Sequence, residues 1–181
     1  MWHQELAQIP ADRLVFLDES GAQTNLTRLR GRCLAGQRLV GKVPWGHWKI
    51  STMISAVRLT GPFAAAVFDC PTDSDVFKAY VEQVLAPALG PGDVVVMDNL
   101  APHKAAGIQE AIEKVGARVL YLPPYSPDYN PIENMWSKIK QRLRSLAPRT
   151  WDALALAYGK ALDEVTVDDC IGYFKHCGYA K

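Results

Sequence analysis

Val94–Met97 is an unbroken apolar run, VVVM, set between Gly90-Pro91-Gly92-Asp93 and Asp98-Asn99. A run that short, bounded by turn-forming residues, reads as a strand rather than a helix. It has no alternation of polar and apolar residues and therefore no face for water. Such a strand belongs at the centre of a sheet with cover on both faces. The rest of the chain has to supply its flanking strands and its helices.

It contains the means. Residues 13–18 hold LVFL, a second short apolar run, and residues 47–58 and 63–68 read as two more strands joined by a turn at Thr60-Gly61-Pro62. Thr72 or Asp73 can cap a helix whose stripe is Phe77, Tyr80, Val81, Val84 and Leu85. After VVVM come a helix over 103–115 that stops at Gly116, a fifth strand over 117–122, and the proline-rich loop LPPYSPDYNP. Pro131 opens a helix to about Leu146, buried through Ile132, Trp136, Ile139, Leu143 and Leu146. Residues 150–174 read as helical, residues 1–12 as a short lead-in helix or turn, and residues 19–46 as a long loop or loose hairpin. A loop of that length inside a compact domain is usually functional. A β-meander followed by β-α units is the order of a ribonuclease H-like α/β fold, a mixed five-stranded sheet flanked by helices.

Three acids sit at informative places in that order. Asp18 and Asp98 each close an apolar strand, and the first and fourth strands are expected to be neighbours. Glu133 lies in the first turn of the helix that begins at Pro131, with 34 residues separating it from Asp98. Ligands of open α/β sheets bind beyond the strand ends, which suits Asp98. Each acid also has an ordinary alternative. Asp98 could cap the next helix, Asp18 competes with Glu19 on the opposite strand face, and Asn130-Pro-Ile-Glu has the spacing of a capping box. Glu133 nevertheless heads a stripe that continues through Ser137, Lys140 and Arg144. Hard oxygen ligands of this kind suit Mg²⁺ or Mn²⁺, and two such ions can activate an attacking oxygen and stabilise a leaving one.

The net charge is only +1, but the charge is unevenly spread. No acid occurs between Ser20 and Phe68, nor between Asn134 and Trp151, and both stretches are rich in Arg and Lys. Beside a metal site they read as a phosphate-binding track. Its candidates are Arg28, Arg30, Arg32, Lys49, His103, Lys104, Lys138, Lys140 and Arg144. Trp45 and Trp48 could stack on a splayed base, but core packing is the better reading. Cys33, Cys70, Cys170 and Cys177 form no C-x-x-C pair, and the N-terminus carries no export pattern. No apolar stretch reaches membrane-spanning length. The expectation is a reduced, cytoplasmic, nucleoid-associated protein without a membrane partner.

FLDES, VVVMDNLAPHK and LPPYSPDYNPIENMWSKIK resemble the three catalytic blocks of DDE transposases. More narrowly, they resemble the mariner superfamily and its bacterial insertion-sequence branch, for which the 34-residue gap is typical. TRLRGRCLAGQRLVGKVPWGHWK is similar to the segment between the first two acids of the bacterial proteins, so that the resemblance covers roughly residues 12–180. It implies one catalytic domain over residues 1–181, with Asp18, Asp98 and Glu133 as catalytic residues and ligands of two Mg²⁺ or Mn²⁺ ions. It implies cleavage of DNA at transposon ends and strand transfer into target DNA, with residues 19–46 reaching DNA or a partner subunit. Seventeen residues precede Asp18, where the family carries helix-turn-helix domains. The implied assembly is therefore a catalytic half acting as a homodimer or with a partner that carries those domains. A catalytically silent DNA- or partner-binding relic and a ribonuclease H-like nuclease or resolvase stand as the alternatives.

Overall fold

The computed structural model describes Trp2, Leu6 and residues 8–180. Of the lead-in helix or turn expected over residues 1–12, positions 1, 3–5 and 7 lie outside the described residues, and a 3₁₀ turn spans Ala11–Arg13. Five strands form one sheet: β1 (Leu14–Gln23), β2 (Ile50–Arg58), β3 (Gly61–Phe68), β4 (Val94–Met97) and β5 (Arg118–Tyr121). Their order is β3-β2-β1-β4-β5. The β1/β2 and β2/β3 pairs are antiparallel, and the β1/β4 and β4/β5 pairs are parallel. This is the mixed, ribonuclease H-like sheet that the element order implies, with β4 flanked on both sides as its apolar run demands.

Alternate residues of the central strands feed two cores. On one face Leu14, Phe16, Val94 and Val96 pack beneath α3 (Pro131–Leu146), α4 (Trp151–Asp163) and α5 (Val167–His176). On the other, Val15, Leu17, Val95 and Met97 pack beneath α1 (Ser74–Tyr80) and α2 (Ile108–Glu113). Among the described residues no helix is long and apolar enough to cross a membrane.

Several elements differ from their sequence expectation for identifiable reasons. β1 does not stop at Asp18 but pairs with β2 out to Gln23↔Ile50, because Ser20 and Ala22 stay buried on its inner face. β2 starts at Ile50 rather than at residue 47. The helix expected over 103–115 is a 3₁₀ turn at Ala101–Lys104 followed by α2, broken where Gly107 takes φ +95°. α1 is capped by Asp73, which accepts hydrogen bonds from the amides of Asp75 (3.0 Å) and Val76 (2.9 Å). It continues as a π-helical stretch, Val81–Leu85, that keeps Val81 and Leu85 turned into the core. The last third divides into α4 and α5, each with a threonine N-cap, Thr150 and Thr166. On α3 the buried stripe includes Met135, and Leu146 is exposed. Trp45 and Trp48 do not pack in a core: Trp45 is 101% exposed within the irregular segment 24–49.

The α3 interface should dominate stability. Ile139→Ala removes a fully buried side chain and is expected to cost about 2–5 kcal/mol. Leu156→Ala, at a position 70% exposed, should stay within about 0.5 kcal/mol. Chemical denaturation of both variants checks this ordering.

Candidate active site

β4 pairs with β1 only through Leu14↔Val94, Val15↔Val95 and Phe16↔Val96. Asp18 and Asp98 each lie two residues past the last of these pairs. The parallel register thus carries both acids to the end of the β1/β4 ladder, with Asp98 just beyond the last residue of β4. Asp18 is therefore a mid-strand residue of β1 that stands at the end of β4. The crevice opens there because β1 runs on and β4 does not.

The side chain of Asp18 points to the α3 face, where the Trp136 indole donates a hydrogen bond to its Oδ2 at 3.2 Å. Glu19 points to the opposite face, and Asp18 is the one of the two that lines the cavity. Glu133 lies one helical turn before Trp136 on α3. Asn130 makes no side-chain cap to this helix, and only its carbonyl accepts from the Glu133 amide, at 3.1 Å. The capping-box alternative is not realised, and the Glu133 carboxylate is exposed toward the crevice. All three acids line one cavity of about 380 Å³ whose far wall is the loop Leu122–Pro127.

The electrostatics divide the two strand acids. Burial, together with the charges of Glu133 and Asp98, raises the Asp18 pKa from 3.8 to about 7 against opposing contributions from the Glu19 amide and His103. Asp98 is also partly desolvated, yet its pKa is lowered by the hydrogen bond and charge of His103 and by the Leu100 amide, which donates at 3.1 Å. This last contact is a local turn bond to the residue before the 3₁₀ turn at Ala101–Lys104 rather than a cap on it, and Asp98 lines the cavity. Neighbouring carboxylates whose pKa values are driven apart have an unmet need for positive charge. Among the described residues no three Asp, Glu, His or Cys side chains already form a closed ion cage. The donor set is nonetheless all hard oxygen and fits Mg²⁺ or Mn²⁺ better than a softer metal.

The basic candidates separate into two groups. His103 is not a surface contact for phosphate: it is 2% exposed, its Nδ1 is in close ion-pair contact with Asp98 Oδ1, and its ring lies on Phe77 with centroids 4.4 Å apart. Burial alone depresses this imidazole, but Asp98 and Glu19 outweigh it and lift its pKa to about 9. Lys138 is paired with Asp169, and Lys49 with Asp69 at 2.9 Å. Arg28 donates to Ser145 Oγ at 2.8 Å, which ties the 24–49 segment to the end of α3. Lys104 stands over the Tyr121 ring at 5.2 Å. Arg30 and Arg32 are exposed on the 24–49 segment, and Lys140 and Arg144 are half-buried on α3. These four have no ion pair among the described residues. Lys140 and Arg144 continue the Glu133 stripe for about 16 Å along the helix.

Sequence reasoning passes over two residues here. Trp136 reads as a core residue, and its indole donor becomes visible only once α3 lies on β1. Tyr125 reads as part of a rigid loop, yet it stands 103% exposed at the cavity wall with φ +56°, a strained conformation for an aromatic residue. The P-P-Y-S-P run was the available signal for both the rigidity and the exposure.

The raised pKa of Asp18 has a definite sign in stability. The carboxyl holds its proton more tightly folded than unfolded, so its contribution is present below about pH 4 and is lost as pH rises through about 7. In chelator-treated buffer, Asp18→Asn should therefore melt higher than the parent at pH 8, with the difference vanishing toward pH 4. Melting temperatures across that range check it, and a pH-independent difference would contradict it.

Residues 13–155 match the DDE superfamily endonuclease family. The transposable element Tcb1 transposase of Caenorhabditis briggsae is 26% identical over 102 residues, covering 56% of this chain and 36% of that protein. Among solved structures, the pre-cleavage Mos1 transpososome superposes with a TM-score of 0.71 at 12% identity, over 92% of this chain and 52% of the Mos1 chain. The Mos1 transposase catalytic domain with raltegravir and Mg superposes with a TM-score of 0.68 at 12% identity, over 93% of this chain and 80% of that one. The chain thus spans about half of the Mos1 chain in the transpososome and 36% of Tcb1. The family match extends from the first strand into α4, across all three acids, and this protein belongs to the DDE superfamily endonucleases.

Proposed function

We propose that this chain is the catalytic domain of a transposase, with residues 1–181 acting as one unit that cleaves DNA at transposon ends and joins those ends to target DNA. The observation that carries the reading is the convergence of Asp18, Asp98 and Glu133 on one cavity beside a row of unpaired cations. The Mos1 structures support it by likeness, since that transposase has been solved with Mg, with Mn and with a left transposon end. The 34-residue spacing favours the bacterial insertion-sequence branch, which works on nucleoid DNA in the cytoplasm, and the S-P-D-Y-N-P-I-E block favours a transposase over a nuclease or resolvase.

In this reading the three carboxylates hold two divalent ions. When bound, such ions supply an activated water or 3′-hydroxyl and stabilise the leaving oxygen. The residues of the chain do the positioning. Trp136 fixes Asp18 through its indole hydrogen bond, and α3 carries Glu133 to the same crevice. Lys140, Arg144, Arg30 and Arg32 supply the free positive charge for a phosphate backbone, with Arg28 and Lys104 beside them. Lys138 and Lys49 are held in ion pairs and His103 is buried, so these three offer less free charge to the track. The catalytic unit acts as a homodimer or with a partner carrying helix-turn-helix domains.

Two experiments test this. Nicking of a supercoiled plasmid with Mg²⁺ or Mn²⁺ should be lost in Asp98→Ala, and full nicking by that variant would make the assignment wrong. Preference for an RNA or a branched-junction substrate in the same assay would point to a nuclease or resolvase on this fold. The Lys140→Ala/Arg144→Ala pair should lower the slope of log K for DNA against log salt by about 2, one per lost phosphate contact. A slope equal to that of the parent would remove α3 from the DNA track.

A further inference from the structure

We propose that His103 is a positioning residue for Asp98, braced from behind by Glu19, so that a Glu19–His103–Asp98 chain passes from the buried face of β1 to the mouth of the cavity. The inference rests on the metal reading of the site and deepens it. Asp18 and Glu19 are neighbours on β1 and point to opposite faces. Asp18 reaches the cavity directly, and Glu19 faces the α1 side. There its Oε1 approaches His103 Nε2 at 3.9 Å. The other ring nitrogen, Nδ1, faces Asp98 Oδ1 within hydrogen-bonding reach.

The imidazole is held more firmly than a core histidine needs to be. The Phe77 ring lies against it at 4.4 Å and 31°. Its amide donates to the Leu100 carbonyl at 3.1 Å, and its carbonyl accepts from the Tyr121 hydroxyl at 3.4 Å. Ring, amide and carbonyl are each anchored by a different element. Asp98, by contrast, follows the last residue of a four-residue strand and has no strand neighbour to fix its side chain. Its two restraints are the Leu100 amide and His103. A carboxylate that ligates a metal is itself normally held by an outer hydrogen bond, and loss of that partner typically weakens metal binding by about 10- to 100-fold. Glu19 supplies the outer end of the chain: its Oε1 is buried and has no hydrogen-bond partner among the described residues. In that position it orients the ring.

Calorimetric titration of the purified full chain with Mn²⁺ tests the proposal, with melting curves to establish folding. His103→Leu keeps bulk against Phe77 and removes the donor, and should weaken Mn²⁺ by about 10-fold or more. His103→Asn keeps a donor where Nδ1 stands and should recover most of that affinity. A purely structural histidine would leave the two variants equal, and that result overturns the proposal. If His103→Leu does not fold, Glu19→Gln decides: weakened Mn²⁺ binding supports the chain, and parental affinity overturns it. Asp98→Asn serves as the reference. Loss of Mn²⁺ in Asp98→Asn with retention in folded His103→Leu overturns the positioning role alone. A parent chain that binds no Mn²⁺ overturns the metal reading and the positioning role with it.

Discussion

The parallel pairing of β1 with β4 is the constraint on which the site depends. Its register sets Asp18 and Asp98 side by side, and its early end leaves both without a hydrogen-bonded neighbour in the crevice between the strands. Two carboxylates on adjacent strands repel, and the protein resolves the repulsion unequally. Asp98 is tied to a buried imidazole and keeps its charge. Asp18, tied to the Trp136 indole and the Glu19 amide, is pushed toward neutrality by its burial. Such an arrangement is costly for a bare fold and sensible for a site that gathers cations.

The two cores divide the labour around this pairing. The face that carries α3, α4 and α5 brings in Glu133 and buries the indole that holds Asp18. The face that carries α1 and α2 buries the imidazole that holds Asp98. Each strand acid is thus supported from a different side of the sheet. The acidic crevice is the line where the two supports meet.

Much of this was legible from residue pattern alone, and what was not has physical causes. The apolar run Val94–Met97 announced a central strand, and the three acids stood at readable element ends. Asp18 looked like a strand terminus because Glu19-Ser20-Gly21 resembles a turn, but a partner strand rather than local composition decides where a strand ends. His103 looked like a free basic residue after a proline, and only tertiary packing against Phe77 made it an interior one. The Asn130 capping box was locally persuasive and was not realised, because Asn130 makes no side-chain bond to the helix. Lys138 and Lys49 were correctly read as basic, but ion pairing with Asp169 and Asp69 is a long-range property that composition does not record. Trp45 and Trp48 suit a core by residue type, since large aromatics are buried on average, but this irregular segment has no layer to enter.

The Trp136 hydrogen bond bears on how such a chain can vary. Glu133 reaches the crevice because α3 docks through Trp136 and its neighbours onto β1, not because a chain of fixed length leads there from Asp98. The intervening loop of prolines and the short α2 can therefore lengthen or shorten without moving the third acid, provided that the indole still finds Asp18. The spacing between the second and third acids is a family's signature but not its ruler. The distance that natural variation has to preserve is the one between helix and strand.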